Sequence, residues 1–175
     1  IRTTEGLIKH IFKKVLDRDL ETPFPRLTYD EAMTTFGSDK PDLRWDLPMY
    51  EVTDEAKETE FQAVRGVVEE GGVIMALTVP GKGTMSRKEI DDLVAFATSV
   101  GLKGISWAKV NEDGIQSPIL KFYDPGQFRQ VAEACHAKPG DIFFLAADKK
   151  EIACRGLGQI RLEIARRLQL PVKAE

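Results

Sequence analysis

The sequence predicts an α+β fold: a two-layer sandwich whose mixed, mostly antiparallel sheet carries helices on one face, with further helices flanking it. Three observations predict it. Val73–Val79 and Ile142–Ala146 are apolar runs of strand length, each bounded by turn residues. Between them lie segments with apolar residues at helical spacing, each opened by a capping residue. Asn111, Glu112, Asp113 and Gly114 have hairpin chemistry, which implies antiparallel neighbours.

The elements follow in order. Leu7, Ile8, Ile11, Phe12, Val15 and Leu16 form one helical stripe, with Lys9, Lys13 and Lys14 off it. Asp17 to Pro25 is a turn-rich connection. Thr28 and Glu31 have capping-box spacing, so a helix starts near Tyr29, with Ala32, Met33 and Phe36 on its apolar side. Trp45 to Tyr50 contains Pro48 and shows no period, which reads as irregular chain. The acidic stretch Glu51 to Glu60 reads as a short helix. Phe61 to Val68 is β-prone and is expected to be a strand, with a turn at Glu70, Gly71 and Gly72 before the strand Val73–Val79.

Ser86 and Glu89 form a second capping box, ahead of Ile90, Leu93, Val94 and Ala97; Gly101 closes that helix. Ile105 to Val110 reads as a strand, and Ile119 to Phe122 as its return strand. Asp124 caps a third helix with Pro125 at its first position; Phe128, Val131, Ala132 and Cys135 are its buried stripe. After Ile142–Ala146, residues Asp148 to Lys150 turn the chain, and Ile152 and Ala153 are expected to pair briefly. Leu157, Ile160, Ile164 and Leu168 mark a final amphipathic helix.

Composition narrows the function. The 175 residues fit one domain, or one domain with a flanking piece of another; 42% are apolar and 30% charged, as in ordinary globular chains. A net charge of −3 supplies no bulk attraction to nucleic acid, so any polyanion contact needs a local basic patch. Cys135, Cys154, His10 and His136 are too few and too scattered to suggest a zinc site. Cysteine usage fits a reducing, cytoplasmic setting. No apolar run reaches the length of a membrane span, and no signal peptide is visible. The chain opens at Ile1 almost directly on a helix and closes just after another, so a piece of a longer protein is expected.

Weak motif matches do not carry a function. Pro80 to Thr84 lacks phosphate-loop spacing, and Gly156-Leu157-Gly158 lacks the glycine triad of a dinucleotide site. Neither histidine has a nucleophile near it in sequence. Arg155, Arg161, Arg166 and Arg167 gather in the last helix, where a solvated face salt-bridged to Glu163 is expected.

One loop stands out. Phe36 to Arg44 places Asp39, Lys40, Asp42 and Arg44 around Pro41, which biases Lys40 away from helix; Gly37 can end the preceding helix in a left-handed cap. On composition alone, this is an ion-paired turn or a fixed loop presenting four charges.

Phe24 to Met33 followed by Phe36 to Arg44 closely resembles bacterial-type aspartyl-tRNA synthetases. Later pieces resemble them in the same order: Val79-Pro80-Gly81 with Ser86 to Asp91, Gly101 to Gly104, Lys109 to Glu112, Ser117-Pro118, Gly140 to Phe144, and Ala147 to Lys150. The resemblance implies that residues 1–45 are a remnant of a class II catalytic domain. It makes 46–155 the GAD insertion domain, an α+β sandwich with a largely antiparallel sheet, and 156–175 an exit helix returning to the catalytic domain. It also implies a parent that joins L-aspartate to tRNA(Asp) with ATP and magnesium, as a cytoplasmic homodimer without membrane association.

The family's catalytic motifs are missing from this stretch. No catalytic, cofactor-binding or metal residue is therefore carried over, and the segment alone is expected to be inactive, with an architectural or tRNA-acceptor-contact role. Asp39, Lys40, Asp42 and Arg44 are the candidate active-site-support loop; Lys82, Arg87, Lys88, Arg161 and Arg166 are the candidate tRNA contacts. The alternative is a GAD-domain module of a tRNA-dependent amidotransferase subunit.

Overall fold

The computed structural model describes residues 1–172. Helix α1 spans Arg2–Leu16 and α2 spans Tyr29–Phe36. Strand β1 (Met49–Glu51), helices α3 (Thr53–Ala56) and α4 (Gln62–Glu69), and strand β2 (Val73–Val79) follow. Next come α5 (Arg87–Ser99), the hairpin of β3 (Ser106–Asn111) and β4 (Gly114–Gln116), and α6 (Pro125–Ala134). Strand β5 (Ile142–Asp148) and helix α7 (Lys150–Arg167) complete it.

The sheet has the order β1-β2-β5-β3-β4, and every described ladder is antiparallel. The last strand in sequence therefore lies at its centre. This explains why β5 is apolar on both faces: Ile142, Phe143, Phe144, Leu145 and Ala146 are all buried. Alternate residues feed two cores. Met75, Leu77, Val79 and Phe144 pack with Ile90 and Leu93 of α5 and with Leu157, Ile160 and Ile164 of α7. Ile74, Ala76, Phe143 and Leu145 pack with Ala56 of α3, Val64 of α4, and Phe128 and Val131 of α6. The class is α+β with an open antiparallel sheet, as the sequence predicts. The helices are divided between its faces rather than gathered on one.

Four local expectations change. Phe61 to Val68 is not a strand: Phe61 stands at the N-cap position of α4, and Phe61, Val64, Val67 and Val68 follow helical spacing although the three valines are β-branched. The return strand after the hairpin is Gly114–Gln116, not Ile119–Phe122. The two-residue turn pairs Asn111 with Gly114 and so sets the register, Pro118 cannot continue the ladder, and Leu120–Phe122 is a 3-10 turn. Trp45 to Tyr50 is not wholly irregular, because Met49 and Tyr50 begin edge strand β1. Ile152 and Ala153 lie inside α7 and pair with no strand.

The apolar stripe of α1 forms a helix, yet α1 contains no buried residue; Leu7 is 58% exposed and Val15 72%. Glu5 joins α1 to the next segment by accepting the Phe24 N–H at 3.2 Å and pairing with Arg26 at 3.5 Å.

Candidate functional site: a clamped loop and a basic corner

Helix α2 opens on a complete capping box. Thr28 Oγ1 accepts the Glu31 N–H at 3.2 Å, and Glu31 Oε2 accepts the Thr28 N–H at 2.7 Å. It closes at Gly37, whose φ of 72° lets its N–H donate back to Met33 O at 2.9 Å. Gly37 also faces α7. A Cβ there would run into the Cys154 carbonyl and lie 2.7 Å from the Gly158 Cα, while a Cβ on Gly158 would lie 2.7 Å from Phe36 O. The pair Gly156/Gly158, unsuited to a dinucleotide, is thus a packing device: Gly158 lets the loop entrance touch the helix backbone, and Gly156 makes room for the Leu102 side chain.

One turn further along α7, Arg161 receives the rest of the loop. Its Nε donates to Leu47 O at 2.7 Å, and its Nη2 donates to Asp42 O at 2.7 Å and Trp45 O at 2.9 Å. The guanidinium lies 5.0 Å from the Phe36 ring centroid. Arg161 is only 1% exposed. Burial pushes its pKa down, while Asp42 and Asp46 oppose the shift. The expectation of a solvated Arg161 is therefore overturned. A buried cation whose Nε and Nη2 are committed to main-chain carbonyls presents no surface to a nucleic acid. Helical spacing does place it off the Leu157/Ile160/Ile164 stripe, but the loop covers that side as well.

Within the loop, Asp42 and Arg44 form a fork. Arg44 Nε reaches Asp42 Oδ1 at 2.9 Å, Nη2 reaches Oδ2 at 2.7 Å, and the Arg44 N–H donates to Oδ1 at 3.1 Å. The Arg44 side chain, through these hydrogen bonds, holds the Asp42 carboxyl below its usual range. Arg44 also lies over Trp45, 4.8 Å from the ring centroid, and Trp45 Nε1 donates to Leu170 O at 3.2 Å. Asp39 and Lys40 are exposed at the tip, where the Lys40 N–H donates to Ser38 Oγ at 3.0 Å. The loop thus divides into a braced base, Asp42 and Arg44, and a presented tip, Asp39 and Lys40.

The other sequence-predicted cations fall in two places. Lys82 lies in the turn between β2 and α5, and Arg87 and Lys88 in the first turn of α5, which opens on the Ser86/Glu89 capping box. Arg87 pairs with Asp91 at 2.8 Å, and its guanidinium lies 5.9 Å from the Trp107 ring. Lys109, not singled out from the sequence, joins this corner. Its Nζ donates to Met85 O at 2.6 Å and lies 6.0 Å from the same ring. Hydrogen bonds from the Ser86 side chain and backbone lower the Glu89 pKa, with Lys109 and Lys82 adding electrostatic attraction. Arg166 sits apart, near the end of α7, where Glu163 binds both Arg166 (2.7 Å) and Arg167 (2.6 Å). Those two hydrogen-bonded arginines, Arg166 first, hold the Glu163 carboxyl down to about 2.

The remaining chemistry is sparse. Both cysteines are buried, and desolvation pushes both thiols up. Among the described residues, no group of three or more His, Cys, Asp or Glu is arranged to hold a metal ion. Asp141 acts as a turn staple, accepting the Gly81 N–H at 2.7 Å and the Lys138 N–H at 2.9 Å. Among the described residues, no helix is long and apolar enough to cross a membrane.

Comparison with known proteins agrees with this architecture. A GAD domain model matches residues 64–157, from within α4 to within α7. The chain is 43% identical over 166 residues to an aspartate–tRNA(Asp/Asn) ligase of Caldanaerobacter subterraneus subsp. tengcongensis, covering 95% of this chain and 28% of that protein. It is 44% identical over 171 residues to the ligase of the same name from Persephonella marina, covering 97% and 28%. An aspartate–tRNA ligase of Clostridium perfringens is 40% identical over 166 residues, covering 95% and 28%. The chain therefore spans about 28% of the length of these curated relatives. With the family model matched over more than half of its residues, the chain belongs to the GAD domain family.

Proposed function

We propose that this chain is the insertion-domain segment of an aspartate–tRNA ligase that joins L-aspartate to tRNA(Asp) with ATP and magnesium. The observation that carries this reading is identity of 43–44% over at least 95% of the chain to aspartate–tRNA(Asp/Asn) ligases. That identity extends to both sides of the GAD match, which favours the ligase over an amidotransferase subunit. In this reading residues 1–45 belong to the catalytic domain, 46–155 to the insertion, and 156–175 to the returning helix; 173–175 lie outside the described residues. The uncovered apolar stripe of α1 supports a first segment that packs elsewhere in the parent. The parent is a cytoplasmic homodimer without membrane association.

The segment alone is inactive and serves as architecture. Arg161 fastens the helix that leaves the insertion to the loop that enters it, so that insertion and catalytic domain move as one body. The corner formed by Lys82, Arg87 and Lys88 faces the tRNA backbone. Two assays test this. The isolated segment gives no aspartate-dependent ATP–pyrophosphate exchange, and measurable exchange refutes the reading of an inactive segment. In the parent, Lys82→Glu with Lys88→Glu weakens tRNA binding and lowers the salt dependence by roughly 0.7–0.9 per lost phosphate contact. Unchanged affinity and salt slope remove the tRNA contact while leaving the ligase assignment intact.

A further inference from the structure

We propose that the open edge of β5 at Ala147 is a docking site for an uncharged heteroaromatic molecule whose rim carries a hydrogen-bond acceptor beside a donor. The main-chain N–H and C=O of Ala147 are the groups that recognise it. Ala147 and Gly104 both line a cavity of about 440 Å³ between α4, the sheet and the approach to β3. That volume is of small-molecule size.

The hydrogen bonds of the neighbouring strands fix where Ala147 points. Its partner in β2 is Ile74. Both main-chain groups of Ile74 turn the other way: its N–H donates to Thr53 Oγ1 at 3.0 Å, and its carbonyl accepts the Val52 N–H at 2.9 Å. Opposed residues in an antiparallel ladder exchange both bonds or neither. Ala147 therefore directs its N–H and C=O away from β2, toward the β3 side. The far end of β5 shows the same alternation, since the Val110 N–H donates to Asp141 O at 3.0 Å. The β3 ladder, however, stops at Ser106, opposite Leu145, while β5 runs on to Asp148. Gly104 would be next in register with Ala147, but the chain has left the sheet there, and the cavity occupies the gap.

An unpaired stretch of strand is a template for an incoming donor and acceptor. Here the stretch is one residue long: Leu145 is paired with Ser106, and Asp148 turns back to Val73 of β2. One donor and one acceptor side by side suit the rim of a single ring rather than an extended peptide, which needs alternate residues along an edge. Val64 and Val67 of α4, with Ile74 and Leu145 of the sheet, supply apolar walls for the ring. Glu70 and Lys103, the charged residues of the lining, are opposite in sign and both solvent-exposed, so the interior favours no net charge. A Cβ at Gly104 or at Gly66, which also lines the cavity, would meet nothing within 4 Å, so the space beside Ala147 is open.

The test is an amide-resolved NMR titration of the full chain with 7-azaindole, whose ring nitrogen accepts beside an N–H that donates. Binding should be saturable, with the Ala147 amide proton moving downfield and Overhauser contacts from the ring to the methyls of Val64 and Val67. Indole keeps the shape and the donor but lacks the acceptor; it should bind about threefold to tenfold more weakly and leave the Ala147 amide proton in place. N-methylation of the azaindole removes the donor and should weaken binding to a similar extent. Absence of 7-azaindole binding, binding that leaves the Ala147 amide proton unmoved, or equal affinity for either control overturns the proposal.

Discussion

Replacing Arg161 by Met tests the clamp most directly. The substitution keeps a long apolar stem and removes three hydrogen bonds, to the carbonyls of Leu47, Asp42 and Trp45. Bonds made by a charged donor contribute about 1.5–3 kcal/mol each. Against that loss stands relief of the desolvation cost of a buried cation, which is several kcal/mol. The Leu47 carbonyl, in a residue 3% exposed, is then left without its donor at a cost of about 1–3 kcal/mol. The net expectation is a loss of about 3 kcal/mol, which for a chain of this size lowers Tm by about 6–12 °C.

Arg161→Lys should fall between the two, at about 2 kcal/mol, because an ammonium lacks the planar fork that reaches several carbonyls and stacks on Phe36. Urea unfolding measures the global loss, and amide hydrogen exchange over residues 38–47 measures whether the loop loosens first. A loss below about 0.5 kcal/mol in Arg161→Met, with exchange in the loop unchanged, refutes the clamp.

Two glycine substitutions in helices should act in opposite directions. Gly66→Ala is expected to stabilise by about 0.5–1 kcal/mol, since its Cβ meets nothing. Gly158→Ala is expected to destabilise by at least about 2 kcal/mol, because its Cβ meets the Phe36 carbonyl and Gly37 Cα, both backbone atoms; urea midpoints of equal sign contradict this. Glu163 makes a pH prediction. Its folded pKa of about 2 lies below the ordinary 4.5, so its stabilisation is complete above about pH 5 and is lost as pH falls toward 2. Glu163→Gln should thus cost about 1 kcal/mol near neutrality, screened by the exposure of Arg166, and only a small fraction of that at pH 2, where the folded carboxyl is half protonated. A difference independent of pH sinks it.

Local chemistry was legible in the sequence wherever the interacting residues are close along the chain. The boxes Thr28/Glu31 and Ser86/Glu89, the Asp124 cap and the glycine that ends α2 at position 37 all follow from contacts within a few residues. The antiparallel class followed from the hairpin at Glu112 and Asp113. Phe61 to Val68 reads as a strand yet forms α4, because β-branched content and helical spacing compete there and only packing against β2 and β5 decides between them. Of the loop, the charges of Asp42 and Arg44 were evident, and their fork is a contact across two residues.

By itself, the sequence determined the α+β class and most element positions, because these rest on period, caps and turn chemistry; its ordered runs of residue identities, from Phe24 to Lys150, carried the resemblance to the family. Tertiary structure alone decided the central place of β5, the two-sided cover of the sheet and the fate of Arg161. That arginine meets carbonyls 114 to 119 residues before it, a separation no local pattern records. Helical spacing shows which way a side chain leaves its own helix. Whether it meets water or a loop depends on which distant segment packs there, and here that segment turned a solvated cation into the buried pin between two parts of the chain.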